Sequence, residues 1–197
     1  MNHRPYHHGD LRAALLARAE QTLREKGLGA LSLRELARGL GVSPAAPNRH
    51  FKTKESLLDA LALTGLHRLS DAIACSQEGI GETFAEQLNA AARAYVNFAT
   101  TNPALLELMY SVKHSSAASP ELRAGVYGWT EHLVEAIRSG QRRGEVRDAA
   151  IERVALPIVA SLHGYADLAA SGTLPVEAAG HGLDDVIASI LRGCAPE

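Results

Sequence analysis

Apolar residues recur every three or four positions along almost the whole 197-residue chain, and nowhere do they alternate as they would on a half-buried strand. That period predicts an all-α protein. Aromatic residues make up only 5% of the chain against 46% apolar overall, so Leu, Ala, Val and Ile must fill the core. The length fits one domain, or a small domain fused to a larger one. No stretch of eighteen apolar residues is present, so no membrane span is expected. The start, MNHRPYHHGD, lacks the apolar run of a secretory signal, which points to the cytoplasm. Cys75 and Cys194 stand alone, as thiols do in a reducing compartment, and offer neither a disulfide framework nor a zinc site.

Punctuation by glycine, proline and capping residues divides the chain into about nine helices. Leu11, Leu15, Ala19 and Leu23 mark the first, closed by Gly27 and Gly29. Ser32 and Glu35 read as a capping box opening a second helix with Leu33, Leu36, Ala37 and Leu40 inward, ended by Gly41. Ser43 with Pro44 in the first-turn slot predicts a third helix, and Thr53 caps a longer fourth. Five further helices follow, with a restart at Asn102-Pro103, a loop from Lys113 to Ser119, a cap at Ser119-Pro120 and a kink at Pro157. The first four helices span roughly 65 residues, too few for much stability alone, so they are expected to pack on the body and the domain boundary belongs inside the fourth helix: 1–55 as one domain and 56–197 as the other.

The near-neutral total hides a split in charge. Residues 1–55 carry ten Lys/Arg against five Asp/Glu, while the remainder carries ten against seventeen. A basic first quarter on an acidic body suggests contact with a polyanion, against the plain alternative of solvated charge. The segment SLRELARGLGVSPAAPNRHF, residues 32–51, supplies a reason. It joins a helix, a glycine turn and a second short helix, with small Ala37 where the helices cross and Val42 as a plug. That is the helix-turn-helix pattern, whose second helix enters the DNA major groove.

The stretch YHHGDLRAALLARAEQTLREKGLGALSLRELARGLGVSPAAPNRHFKTKESLLDAL resembles the tetracycline-repressor (TetR) family of transcriptional regulators, most specifically from Gly41 to Lys54. The later NPALLELM and LHGYADLAASG look like one subgroup of that family. The resemblance implies an all-α homodimer. Each subunit has a three-helix helix-turn-helix DNA-binding head, joined by a fourth helix to a helical ligand-binding and dimerisation body. It further implies a repressor, released from a near-palindromic double-stranded operator by a small-molecule effector; an activator, or a DNA-binding regulator with no effector, is the alternative. Carried over by position, Arg34 reaches a base edge or phosphate, and Ser43, Pro44, Ala45 and Ala46 face the groove. Asn48, Arg49, His50 and Lys54 hold phosphates. Asn48 replaces the tyrosine usual in the family, and Pro47 interrupts the third helix. Pro44, Ala45 and Ala46 offer no side-chain donors, only apolar contacts such as those to thymine methyls. Arg4, His7 and His8 form either an arm on the DNA or a silent tail.

In the body, Tyr95, Phe98, Met109, Tyr110, Trp129, His163 and Tyr165 lie on helices that would enclose a cavity in this architecture, with simple core packing as the alternative. A largely apolar pocket with a few polar groups suits a small, mostly apolar ligand. The helix from Ile151 to Ala170 is apolar around most of its circumference. Its small residues Ala155, Ala160, Ser161, Gly164 and Ala169 admit a close partner helix. Val154, Ile158 and Leu162, with Val186, Ile187 and Ile190 of the last helix, are the expected seam of an intermolecular four-helix bundle. An enzyme is the rival class, but the nine histidines form no H-E-x-x-H, and no Cys/His cluster, G-x-S-x-G elbow or P-loop is present. No catalytic residue, metal or cofactor is therefore expected.

Overall fold

The computed structural model describes residues 11–113, 118–175 and 180–196; for Lys113 and residues 125–129 the helical backbone alone is described. The expected arm at Arg4, His7 and His8 lies outside the described residues, as do the centre of the expected loop at 114–117 and the side chain of Trp129. The described residues form eight α-helices and two short 3-10 turns, with no strand among them. The helices are α1 (Leu11–Lys26), α2 (Leu33–Gly39), α3 (Lys54–Ser76), α4 (Phe84–Thr101), α5 (Pro103–Lys113), α6 (Pro120–Arg142), α7 (Ile151–Ala170) and α8 (Gly182–Cys194). The 3-10 turns are Leu28–Ala30 and Ala46–Arg49. Two compact units are distinguished: residues up to Gly65 with Ala104–Ala124, and Leu66–Pro103 with Gly125 onward. The chain passes between them inside helices, first within α3.

In the first unit, α1 buries Leu11, Leu15, Ala19 and Leu23, one row at every fourth position. It packs on α2 and on both 3-10 turns. Gly27, at φ 76°, stops α1 in a conformation other residues avoid. α5 lies against α3 at Gly65, where Met109 and Leu105 occupy the space a side chain would take. The Asp59 carboxylate accepts from the Ser119 backbone N–H at 2.9 Å, and Ser119 Oγ accepts from Leu122 N at 3.0 Å, so the expected Ser119-Pro120 start of α6 is built as a cap.

In the second unit α4, α7 and α8 pack on one another. α4 contributes Phe84, Leu88, Ala92, Tyr95, Val96, Phe98 and Ala99 to the core. Its first turn is held three ways. Thr83 and Glu86 form a reciprocal capping box, and Glu145 accepts the Phe84 N–H at 2.7 Å. Pro157 lies within α7, so the Arg153 carbonyl one turn earlier loses its helical donor; Arg147 Nη2 donates to that oxygen at 3.1 Å.

One expectation is corrected here. Ser32 occupies the N-cap of α2 with extended backbone, but its side chain makes no cap bond, and Glu35 pairs with Arg38 one turn along instead of reaching back to complete the box. The expected seam residues Val154, Ile158, Leu162, Ile187 and Ile190 are at most 8% exposed inside the single chain, and Val186 is half-buried. Large apolar side chains go where the most area leaves water, which is the subunit's own core.

Candidate functional site

The turn after α2 is fixed by its backbone. Leu40 closes the helix, Gly41 turns at φ 68°, its N–H donates to Arg38 O at 3.2 Å, and Val42 N donates to Ala37 O at 3.0 Å. This pair of bonds is a Schellman motif, which needs a left-handed residue after the cap and so selects glycine. Ala37, fully buried, lets α2 sit close to its neighbours.

The segment that follows departs from the expected third α-helix capped by Ser43. Proline is the reason. Pro47 has no N–H to give the Ser43 carbonyl, and its ring would strike that oxygen in an α-helix. The Ser43 carbonyl accepts from Ala46 N at 3.0 Å instead, and Asn48 N donates to Ala45 O at 3.2 Å. Both are three-residue bonds, and the result is a 3-10 turn of four residues, Ala46–Arg49. Pro47 is also the anchor. Its ring is under 2% exposed, while its carbonyl accepts from both His50 N and Phe51 N at 2.9 Å. Phe51 is buried, with the Arg12 guanidinium 5.5 Å from its ring centre.

With Leu36, Ala37, Pro47 and Phe51 turned inward, the residues expected at a nucleic acid remain outside. Arg34, Ser43, Pro44, Ala45, Asn48 and Arg49 are exposed; Ala46 and His50 are half-buried. Lys54, at the first residue of α3, is half-buried and donates from Nζ to the Leu28 carbonyl at 3.2 Å, which braces it and leaves its other ammonium protons to bind an anion.

The second unit holds a cavity of about 50 Å³. Ile73 of α3, Gln77 in the turn just after it, Gln87, Leu88 and Tyr95 of α4, Leu133 of α6, and Ile158 and Leu162 of α7 are among its walls. Of the seven residues expected at a ligand, Tyr95 lines it, and the Tyr95 hydroxyl meets His163 Nδ1 at 3.0 Å. Phe98 is buried with the Arg68 guanidinium 6.0 Å from its ring centre; Tyr165 is half-buried. Met109 and Tyr110 belong to α5, in the first unit. Sequence reading passed over Gln77 and Gln87, polar residues in an apolar wall. Gln87 Oε1 is fully shielded and finds no hydrogen-bond donor among the described residues.

The faces of α7 divide sharply. Val154, Ile158, Leu162 and Ala166 are inside. Leu156 is 70% exposed and Leu168 47%. Ala160 and Gly164, also exposed, lie between them at every fourth position, so the four form one apolar stripe. Cys194, buried at the end of α8, has its thiol pushed up by loss of water. Among the described residues no group of three or more His, Cys, Asp or Glu is placed to hold a metal ion, and no helix is long and apolar enough to cross a membrane.

Residues 15–61 match the family model of bacterial regulatory proteins, tetR family, and residues 88–193 match that of the tetracyclin repressor-like C-terminal domain. An HTH-type transcriptional regulator of Mycobacterium tuberculosis is 29% identical over 140 residues, covering 70% of this chain and 60% of that protein. The match thus spans about three fifths of the curated relative's length. A solved structure from Rhodococcus sp. RHA1, of unknown function, is 40% identical and superimposes with a TM-score of 0.87 over 98% of this chain and 100% of its own. A TetR family transcription regulator from Marinobacter aquaeolei VT8 shares the fold at 19% identity, with a TM-score of 0.77 over 96% of this chain and 97% of its own.

Proposed function

This chain belongs to the tetR family of bacterial regulatory proteins, and on that premise we propose that it is a homodimeric, sequence-specific DNA-binding repressor released by a small, mostly apolar effector. One observation carries the reading: an exposed, proline-braced segment, Ser43–Arg49, stands on a glycine turn within a head of net positive charge. Arg34 reads a base edge; Asn48, Arg49, His50 and Lys54 hold backbone phosphates. Ser43, Pro44, Ala45 and Ala46 supply close apolar packing in the groove. In this reading residues 1–55 are the DNA-binding domain and 56–197 the effector and dimer domain. No catalytic step is assigned to any residue.

The subunit seam is the exposed stripe of α7, Leu156, Ala160, Gly164 and Leu168. A two-fold axis there repeats the same contacts twice and sets two heads on half-sites about 34–36 Å apart, or a multiple of that. The effector enters the cavity lined by Tyr95 and Leu162. α3 carries Lys54 at its first residue and Ile73 near its last, so it is the lever by which the two events are coupled. A ligand preferring the pose in which the heads miss the half-sites lowers DNA affinity by that preference, typically 1–3 kcal/mol.

The test is fluorescence anisotropy against a labelled duplex from upstream of the protein's own gene, beside a scrambled duplex, at two salt concentrations. The expected result is a preference of about 10³-fold or more with a steep salt dependence. Equal and weak binding to both, repeated with duplexes selected from random sequence, refutes the reading.

A further inference from the structure

The cations of the first unit differ in what already holds them. Arg38 is paired with Glu35, Arg18 donates to Gln21 Oε1 at 2.9 Å, and Lys54 is braced on the Leu28 carbonyl. Arg12 is held another way. It is the second residue of α1 and exposed, and its guanidinium stands 5.5 Å from the centre of the buried Phe51 ring. A cation over an aromatic face uses its charge and leaves the five N–H donors of the guanidinium unused. No carboxylate or carbonyl among the described residues takes them up. Phe51 also fixes where this charge lies. Its N–H donates to the Pro47 carbonyl, so its backbone belongs to the proline-braced turn. It directly follows His50 and stands shortly before Lys54. The ring thus ties a cation of α1 to the stretch of chain that carries the phosphate contacts proposed above, although Arg12 is distant from it in sequence.

We propose that Arg12 is a further phosphate contact, its guanidinium donating to a phosphodiester of the DNA backbone beside those held by Asn48, Arg49, His50 and Lys54, with Phe51 as its rest. The proposal rests on the DNA-binding reading above and adds α1 to the surface that touches the duplex. Phosphate is the chemistry this group suits. A guanidinium meets two phosphate oxygens with two parallel N–H bonds, and it keeps its charge at any working pH. The ring restricts the side chain before DNA arrives, so less rotamer freedom is lost on docking. Arg24 supplies the control. It is also exposed on α1, but a little over three turns further along, about 18 Å by the helical rise, and no ring among the described residues ties it to the turn.

The test is anisotropy of the full-length protein with the operator and scrambled duplexes at several salt concentrations, for the wild type, Arg12→Ala, Arg12→Gln and Arg24→Ala, with thermal unfolding in parallel. Arg12→Ala should weaken both duplexes alike, by about eightfold at 0.1 M salt, and reduce the slope of log K against log salt by about 0.9, as one lost phosphate contact does. Arg12→Gln removes the charge and keeps part of the stem against Phe51, so it should match the alanine variant, and it decides alone if Arg12→Ala fails to fold. Arg24→Ala should keep the wild-type slope. A wild-type slope in the folded Arg12 variants, whatever their melting temperatures, overturns the proposal and leaves the DNA-binding reading standing. An equal fall in slope in Arg24→Ala also overturns it, since net charge and not position is then responsible. A wild type that binds every duplex equally and weakly refutes the DNA-binding reading, and the proposal with it.

Discussion

Replacing Leu156 by Ala tests which face of α7 joins two subunits. Leu156 is 70% exposed in the single chain, so a partner has that share of a leucine to cover. Burying a whole leucine side chain contributes about 2 kcal/mol, so covering this one contributes about 1.4. Alanine keeps roughly a third of the effect, for a loss of about 1 kcal/mol per copy. A two-fold interface contains the residue twice, so the dimer loses about 2 kcal/mol, a rise of roughly 30-fold in its dissociation constant. Adding Leu168→Ala, at 47% exposure, extends the loss to roughly 100- to 300-fold. Leu156→Ala should leave the melting temperature of the isolated subunit nearly unchanged, because that side chain stands mostly in water and alanine favours helix, and Leu168→Ala should lower it only slightly, because about half of that side chain is already exposed. Ile158→Ala is the contrasting change: at 1% exposure it should destabilise the subunit itself by 2–5 kcal/mol. Sedimentation velocity across a concentration series, with thermal unfolding in parallel, reads both quantities. An unchanged dimer constant in Leu156→Ala/Leu168→Ala refutes the assignment of the stripe. A dimer weakened by Ile158→Ala in a fully folded subunit refutes the assignment of the core.

Arg34→Ala should cost operator binding about 1–3 kcal/mol with a smaller effect on scrambled DNA, whereas Arg49→Ala should weaken both alike and reduce the salt slope by about one; anisotropy at several salt concentrations separates them. The Glu145 carboxyl is held below its ordinary range by hydrogen bonds from Arg143 and then from the Phe84 N–H. A depressed carboxylate contributes stability above its unfolded pKa and loses it as pH falls through the folded one. Denaturant titrations should therefore show wild type and Glu145→Gln converging below about pH 4, with the wild type ahead at pH 7. Gly65→Ala gains about 1 kcal/mol in helix propensity, but its Cβ would lie 2.7 Å from Met109 Sδ and 3.1 Å from Leu105 Cγ. Overpacking of about 1–3 kcal/mol should win, and the melting temperature should fall by a few degrees; a rise would show that Met109 yields freely.

Much of this architecture was legible because glycine and proline act locally. Gly27 and Gly41 end helices through a backbone angle no neighbour can alter, and Asn102-Pro103 restarts one for the same reason. Side-chain caps were less legible, since a cap competes with other partners. Ser32 and Glu35 had the spacing, but Arg38 took the glutamate; Thr83 and Glu86 had the same spacing unnoticed and formed the box. On α7 two rows at every fourth position were both apolar, and periodicity cannot choose between them. Volume does: the row of Val154, Ile158 and Leu162 fills the core, and the row with Ala160 and Gly164 is left outside. Gln87 gave no signal in sequence, because a glutamine on a helix is ordinarily a solvated residue and only the fold places it on the wall of a largely apolar cavity.

Pro47 links these levels, and its consequence for recognition follows from geometry. A four-residue 3-10 turn presents fewer side chains to a groove than a full recognition helix, and Pro44, Ala45 and Ala46 carry no side-chain donors. What the segment has is stiffness. Two prolines and a buried ring fix its backbone before DNA arrives, so little conformational entropy is lost on docking. Such a surface reads thymine methyls and groove width better than hydrogen-bonding patterns. Operator variants should then fall into an unusual order. Replacing a flexible pyrimidine–purine step that no side chain contacts should cost as much as replacing a base beneath the turn, each on the order of 1–3 kcal/mol. Measuring every single-base variant of one selected operator checks this. If all the loss concentrates in the bases beneath Arg34 and the turn, direct readout dominates, and the argument from the prolines is wrong.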